Sequence, residues 1–287
     1  GYGEYGNSLY RGEPAIHNGA DDNASGTAGV IELARELKNN GVKEKNNFIF
    51  LNFSGEELGL VGSKYWVQHA SYDTSKINYM VNMDMIGRYD TSKGIEVSGL
   101  GTSPAAFQYI HTLSYDRLKL KPGENGTGPT DHTSFYQANI PVLNFFTGTH
   151  EDYHKPSDDA DKINYNGEAE VLQMIESIIM NLDDDGTLPF SKTKETGSND
   201  VPQFKVRLGI IPDYLYEGTG LRVDGVDEGK PAALAGIEKG DIILSIGEHQ
   251  VGDIMAYMKA LSAYNKGDSA KVIVKRGESN VEVRVTF

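Results

Sequence analysis

Asn18-Gly19-Ala20-Asp21-Asp22-Asn23-Ala24-Ser25-Gly26 sets two adjacent acids among small residues, directly ahead of a helix. From Thr27 on, Val30, Ile31, Ala34 and Leu37 recur at helical spacing and outline one apolar face. Asn23 or Ser25 supplies an N-cap and Asn40-Gly41 a stop. Standing alone, such acids need be no more than partners for the helix dipole. They do not stand alone, because Ser54-Gly55-Glu56-Glu57-Leu58-Gly59 repeats the arrangement after the next apolar run. Two acidic pairs at successive strand ends call for a cation or a strong alternative explanation, the plain one being caps and surface charges.

Composition narrows what that cation can be. The 287 residues suffice for one large domain and a small one. A net charge of −14 gives no electrostatic case for gripping nucleic-acid phosphates or an anionic membrane surface. No apolar run is long enough to span a bilayer. Cysteine is absent, which removes disulfides and thiolate metal sites and leaves the redox compartment unreadable. A metal would be held by His, Asp and Glu, a donor set suited to zinc or another borderline-to-hard divalent ion.

Outward from the acidic pairs, Phe48-Ile49-Phe50-Leu51-Asn52-Phe53 reads as a strand buried on both faces, followed by a helix over Leu58 to His69. Tyr79 to Met85 is a strand closing near Asp84, and Gly94 to Gly99 another. Ser103-Pro104 opens a helix to Tyr115, Pro141 to Phe146 is a strand leading to His154, and a last helix runs from about Glu168 to Leu182. Alternating strands and helices indicate an α/β three-layer domain, whose ligands bind beyond the carboxyl ends of the strands. Asp22 precedes a helix there, and Glu56, Glu57, Asp84 and His154 follow or close strands, so all can meet at one edge.

Asp183 to Gln203 breaks the pattern with an acid run and aperiodic Gly, Pro, Ser and Thr. The chain therefore divides into a first domain over 1–182, a linker over 183–203 and a second domain over 204–287. In the second domain, Gly220 to Val223 leads to a short helix between Pro231 and Gly236, then a strand over Ile242 to Ile246. Asp253 caps a helix carrying Ile254, Tyr257, Met258 and Leu261, and Lys271 to Arg276 pairs with Val281 to Phe287 as a hairpin. The opening, Gly1 to Gly12, reads as a loop.

Six residues carry chemistry: Asp22, Glu56, Glu57, Asp84, His132 and His154. A binuclear zinc site needs bridging carboxylates, histidine nitrogens and one free carboxylate as base. Adjacent Glu56 and Glu57 can divide that labour, since neighbouring side chains on a turn point apart.

The stretches Gly19 to Gly26, Ser54 to Gly59, Asn82-Met83-Asp84-Met85 and Asp152-Tyr153-His154-Lys155-Pro156-Ser157-Asp158-Asp159 together resemble the di-zinc aminopeptidases of the bacterial leucyl aminopeptidase type. They occur in family order over most of Asn18 to Leu182. The resemblance implies a three-layer α/β/α zinc-exopeptidase domain with a mixed sheet, and an enzyme that removes N-terminal residues through a zinc-activated water. It implies Asp22 as the carboxylate shared by two zincs, Glu57 and His154 as ligands of one zinc, and Asp84 as a ligand of the other. Glu56 matches the general base, and Tyr153 a tyrosine that donates to the oxyanion in some members. A periplasmic or extracellular location is implied by the same resemblance.

One departure matters. The family carries a further zinc-binding histidine upstream of the Gly-Ala-Asp-Asp stretch, where this sequence has only His17, in a different context. The Gly-Tyr-Gly-Glu-Tyr-Gly opening resembles the segment just after that histidine in family members, so the chain is expected to start there, without the early strands of the sheet. One zinc or fewer is then expected, instead of the family's two. His17 reads as a loop histidine. His132, in Thr130-Asp131-His132-Thr133, resembles a loop near the substrate pocket of relatives, and reads equally well as a structural histidine.

Arg207-Leu208-Gly209-Ile210 and Gly229 to Leu244 resemble a bacterial PDZ domain of the kind appended to periplasmic proteases. This implies a small β-rich second domain in which Leu208, Gly209 and Ile210 form a loop that receives a peptide C-terminus. A domain that only packs against the first is the equal alternative. Two further readings compete for the whole chain: a mono-zinc acyl transferase like the glutaminyl cyclases, which share the fold, and a non-catalytic peptide-binding protein. Asp84 in its family context argues against the former, and Glu56, a base a relic would not need, against the latter.

Overall fold

The computed structural model describes residues 8–10, 12–115, 117–193, 206–213, 216, 218–226 and 229–287, with the side chain of Met255 excepted. Most of the opening stretch and residues 194–203 of the expected linker lie outside the described residues. The chain divides into two compact units, Gly1–Gly148 with His154–Lys194, and Thr149–Tyr153 with Glu195–Phe287.

In the first unit the elements are α1 (Gly26–Asn39), α2 (Val61–His69), β1 (Met80–Met83), β2 (Ile95–Ser98), α3 (Pro104–Phe107), β3 (Leu120–Pro122), α4 (His132–Gln137), β4 (Val142–Phe146) and α5 (Tyr165–Leu182). The sheet order is β1-β4-β2-β3. β1 runs parallel to β4, β4 antiparallel to β2, and β2 parallel to β3, a mixed sheet. Met80 pairs with Val142 and Val81 with Leu143. Because side chains alternate along a strand, Val81, Met83, Leu143 and Phe145 join α1, α3 and α5 in one core. Met80 and Val142 face the other way, into a core with Phe135, Phe53 and Trp66. Each face of the sheet is thus covered by helices, which is the three-layer arrangement expected.

Helix α1 turns on its axis relative to the expected face. Leu33 and Leu37 are buried while Ile31 is 60% exposed. The buried stripe is Gly26, Gly29, Leu33 and Leu37. A Cβ at Gly29 would lie 3.0 Å from Leu172 and 3.1 Å from Ile86, so the helix seats its glycines where α5 and the end of β1 come closest. Asn23 performs the capping, its Oδ1 accepting the Gly26 N–H at 3.0 Å.

The run Phe48 to Phe53 is not a strand. Ile49 and Phe50 are 45% and 44% exposed, and no paired strand includes them among the described residues. Strand structure needs a hydrogen-bonding neighbour, and this segment and β1 instead line one cavity. The helix expected to Tyr115 is also shorter: α3 ends at Phe107 and continues as a 3₁₀ turn over Gln108–Thr112. Residues 183–193 run along the first unit, with Leu188 buried and Asp183 accepting the backbone N–H groups of Lys45 and Asn46.

The second unit holds β5 (Ile210–Pro212), β6 (Leu221–Val226), α6 (Pro231–Leu234), β7 (Ile242–Ile246), β8 (His249–Gln250), α7 (Ile254–Ser262), β9 (Ser269–Arg276) and β10 (Ser279–Thr286). Its sheet runs β10-β9-β7-β6-β5, antiparallel throughout, with β8 paired to β7. Leu208, Val223, Ile243, Ile246, Val272 and Val274 fill the core. Asp253 caps α7 by accepting the Ala256 N–H at 2.8 Å. Asp241, 1% exposed, takes two guanidinium bonds from Arg276 at 2.8 and 2.7 Å. Burial alone would push Asp241 up, yet Arg276 and the Glu238 N–H hold it below the usual carboxylate range. Thr149 Oγ1 donates to the Pro212 carbonyl at 3.1 Å, so Thr149–Tyr153 goes with this unit. Among the described residues, no helix is long and apolar enough to cross a membrane.

Candidate metal centre

The loop before α1 is tied to the end of β1 by one side chain. Asn23 Nδ2 donates to the Met83 carbonyl at 2.9 Å, and its Oδ1 accepts the Met85 N–H at 3.2 Å. These two bonds flank Asp84 and bring it beside Asp22. Gly19 makes the loop possible: its φ is +63°, and a Cβ there would sit 2.3 Å from the Asp22 carbonyl oxygen. Asp21 is wholly buried and accepts the Gly87 N–H at 2.7 Å, a structural duty that leaves Asp22 for the site.

Glu56 and Glu57 lie on a single 3₁₀ turn, Glu56–Leu58, between Gly55 and Gly59 in left-handed conformations. His154 also has a left-handed backbone, φ +55°, an uncommon state for a non-glycine residue and one found at functional sites. Its Nε2 lies 3.1 Å from Asp22 Oδ2 and 2.8 Å from Glu57 Oε1. The ligand atoms of Asp22, Glu57 and His154 all fall within 4.8 Å of one another. Asp84 is not part of that three-residue group, though its charge acts on Glu56 and that of Asp22 acts on it.

The electrostatics show what this arrangement lacks. Burial, then the charges of Asp84, Glu57, Asp131 and Asp22, push the Glu56 carboxyl up to about 10. Burial and Asp22 push Asp84 up to about 8, against a hydrogen bond from Thr130. Asp22 is raised as well, chiefly by burial. Burial would lower His154, but its bonds to Asp22 and Glu57 and their charges prevail and hold it at about 10. Carboxyls driven this high hold their protons unless a positive charge lies beside them. Two carboxylates and one imidazole form the donor set of an open zinc site, and the residues fit a divalent cation.

A cavity of about 1370 Å³ opens on the cluster, lined by Asp22, Glu56, Glu57, Asp84, Asp131 and His154. Sequence reasoning does not single out Asp131, although it adjoins His132 in the same motif. It is 8% exposed, its Oδ1 has no hydrogen-bond partner, and its charge acts on both Glu56 and Asp84. His132 starts α4, is 1% exposed and is held neutral by burial at about 3. It is not among the residues lining the cavity. His17 bonds Ser8 Oγ at 2.8 Å and the Ala15 carbonyl at 3.0 Å. Tyr153, next to His154 in sequence, groups with the second unit.

The profile of peptidase family M28 matches residues 7–179, more than half of the chain. The chain belongs to peptidase family M28. A PDZ-domain profile matches residues 191–287 of this M28 chain. Among curated proteins it is 34% identical over 160 residues to "Aminopeptidase YwaD" of Bacillus subtilis, covering 50% of this chain and 33% of that protein. "Leupeptin-inactivating enzyme 1" of Streptomyces exfoliatus is 34% identical over 158 residues, covering 50% and 32%. The crystal structure of the Legionella pneumophila LapA aminopeptidase shares the fold, with a TM-score of 0.52 and 24% identity over 59% of this chain and 48% of that one. The chain thus spans about a third of the curated relatives' length and about half of LapA's.

In the second unit, Leu208 is fully buried, Gly209 has φ +76°, and Ile210 begins β5, the end strand of its sheet. The Leu208 carbonyl accepts the Ala232 N–H at 2.8 Å, tying this loop to α6.

Proposed function

We propose that this M28 chain forms the cation-holding and base-bearing part of a zinc aminopeptidase acting on the free amino ends of peptides. The observation that carries the reading is the meeting of Asp22, Glu57 and His154 around one point at the cavity, with Glu56 beside them. Asp22, Glu57 and His154 would hold zinc, and Asp22 with Asp84 a weaker second position. When bound, zinc would polarise the scissile carbonyl and lower the pKa of water.

The side chains supply the rest. A cation at the cluster would offset the burial and the neighbouring carboxylate charges that keep Glu56 protonated, and return it to the carboxylate form a base requires. Glu56 then takes a proton from the attacking water and passes it to the leaving amine. The cavity acids attract a protonated amino terminus, which favours chain ends over internal bonds. His132, buried and beside Asp131 in sequence, is assigned to supporting the substrate pocket from outside its lining. In the second unit, the Leu208-Gly209-Ile210 loop and β5, the end strand of its sheet among the described residues, suit a peptide C-terminus added as a strand. A periplasmic or extracellular setting accords with this pairing of modules.

The test is hydrolysis of one short peptide in two forms, amino-free and N-acetylated, with zinc and after chelation. Zinc-dependent cleavage of the free form alone is expected. Cleavage of both forms, or of neither with zinc supplied, overturns the reading. A glutaminyl peptide assayed beside them separates the acyl-transferase alternative, which a single three-ligand cluster would also serve.

A further inference from the structure

Asp158 makes three hydrogen bonds to the loop that carries Asp22. Its Oδ2 accepts the backbone N–H of Asp21 and that of Asp22, each at 3.0 Å. Its own carbonyl accepts the Ala20 N–H, also at 3.0 Å. The residue is 1% exposed and lines the cavity, and its Oδ1 is buried without a hydrogen-bond partner. A buried carboxylate is costly unless its bonds are strong, and amide-to-carboxylate bonds are among the stronger ones.

Those bonds set geometry. Two successive amides held on one oxygen fix the orientation of the Asp21–Asp22 peptide, and with it the direction in which the Asp22 side chain leaves the backbone. Asp158 also sits on the loop that presents His154, separated from it only by Lys155, Pro156 and Ser157. One short loop therefore supplies the imidazole and grips the backbone of the carboxylate that faces it at 3.1 Å. Asn18 Nδ2, donating to Asp159 Oδ1 at 2.5 Å, adds a fourth hydrogen bond between the two loops.

We propose that Asp158 is a positioning residue: it holds Asp22 at the spacing from His154 that a cation requires. The inference rests on the metal reading above. Ligands oriented by buried second partners bind metal about 10–100-fold more tightly than those without.

The test measures zinc affinity of the full chain by competition with a chromophoric chelator, alongside thermal melts of the metal-free protein. Wild type binds zinc and His154→Ala does not; a wild type that takes up none overturns the metal reading and this inference with it. Given binding, Asp158→Ala raises the zinc Kd by about 10–100-fold. Asp158→Asn, whose carbonyl oxygen can accept both N–H groups, stays within a few-fold of wild type. Ile178→Ala, a core change away from the cavity, lowers the melting midpoint and leaves the Kd alone. If Asp158→Ala does not fold, Asp158→Glu takes its place, since the added methylene misplaces the acceptor and should weaken zinc similarly. A folded Asp158→Ala or Asp158→Glu with wild-type zinc affinity overturns the positioning role while the metal reading stands.

Discussion

His154 Nε2 lies 2.8 Å from Glu57 Oε1, joining a loop late in the first unit to a turn that precedes its first strand. Each residue alone is a common loop feature, and at that distance, with Asp22 Oδ2 also 3.1 Å from the imidazole, they form a group that could hold a metal ion. Changing that set, or the fold that holds it, has measurable consequences.

Glu56→Gln preserves the shape of the site and removes its proton acceptor. Zinc uptake and folding are expected to persist while aminopeptidase turnover falls by about two to four orders of magnitude. Steady-state kinetics on the zinc-loaded variant decide, and near-normal turnover removes Glu56 from the base role.

Metal stoichiometry is set by the ligand count. Asp22, Glu57 and His154 make one three-residue cluster, and the proposed second position would have Asp22 and Asp84 without an imidazole. Zinc favours nitrogen as well as oxygen donors, so one tightly held equivalent is expected after dialysis. Elemental analysis returning two equivalents would contradict this.

Stability of the metal-free chain should fall as pH rises. A group whose folded pKa lies above its unfolded value holds protons better when folded, so stability is lost between the two values as pH climbs. Glu56 moves from 4.5 to about 10, Asp84 from 3.8 to about 8 and His154 from 6.5 to about 10. All three act in the same direction. Melting midpoints measured from about pH 5 to pH 9 should decline without zinc, and the rise that zinc produces should grow over the same range, because ligands must shed protons to bind it. A metal-free midpoint that climbs with pH is the contrary result.

The PDZ loop is tested on the full Glu56→Gln chain with N-blocked peptides, so that cleavage does not interfere. Peptides ending in a free apolar residue should bind, and their C-terminally amidated forms should not. Equal binding of the two forms in fluorescence polarisation favours a domain that only packs.

Ile178, wholly buried in α5, measures the core. Ile178→Ala should destabilise the first unit by about 2–5 kcal/mol through lost burial and the cavity left behind. Chemical denaturation provides the value, and a change well under about 1 kcal/mol would mean the site collapses around the smaller side chain.

Much of this protein was legible in the order of its residues. Apolar alternation and helical spacing are local signals, and they marked β1, β2, β4, α1 and α5 to within a few residues. Acids at the ends of those elements pointed to a cation, because loops at the carboxyl edge of a sheet meet there whatever lies between them. Absent cysteine ruled out thiolate sites, and a charge of −14 gave no electrostatic case for gripping phosphates.

What only the tertiary structure decided are matters of which surface meets which. The burial of Leu33 in place of Ile31 depends on Gly29 lying against Leu172 and Ile86, and spacing along one helix does not contain that contact. Phe48 to Phe53 has the composition of a buried strand, yet a strand exists only where another backbone accepts its hydrogen bonds, and here the segment borders a cavity. Asp131 and Asp158 were visible as letters in motifs, but their meaning came from burial and partners: one carboxylate lines the cavity and its charge acts on Glu56, the other grips two amides of a loop far away in sequence. Periodicity reports what a residue's neighbours along the chain require, and a binding site is made from neighbours that the chain brings together only on folding.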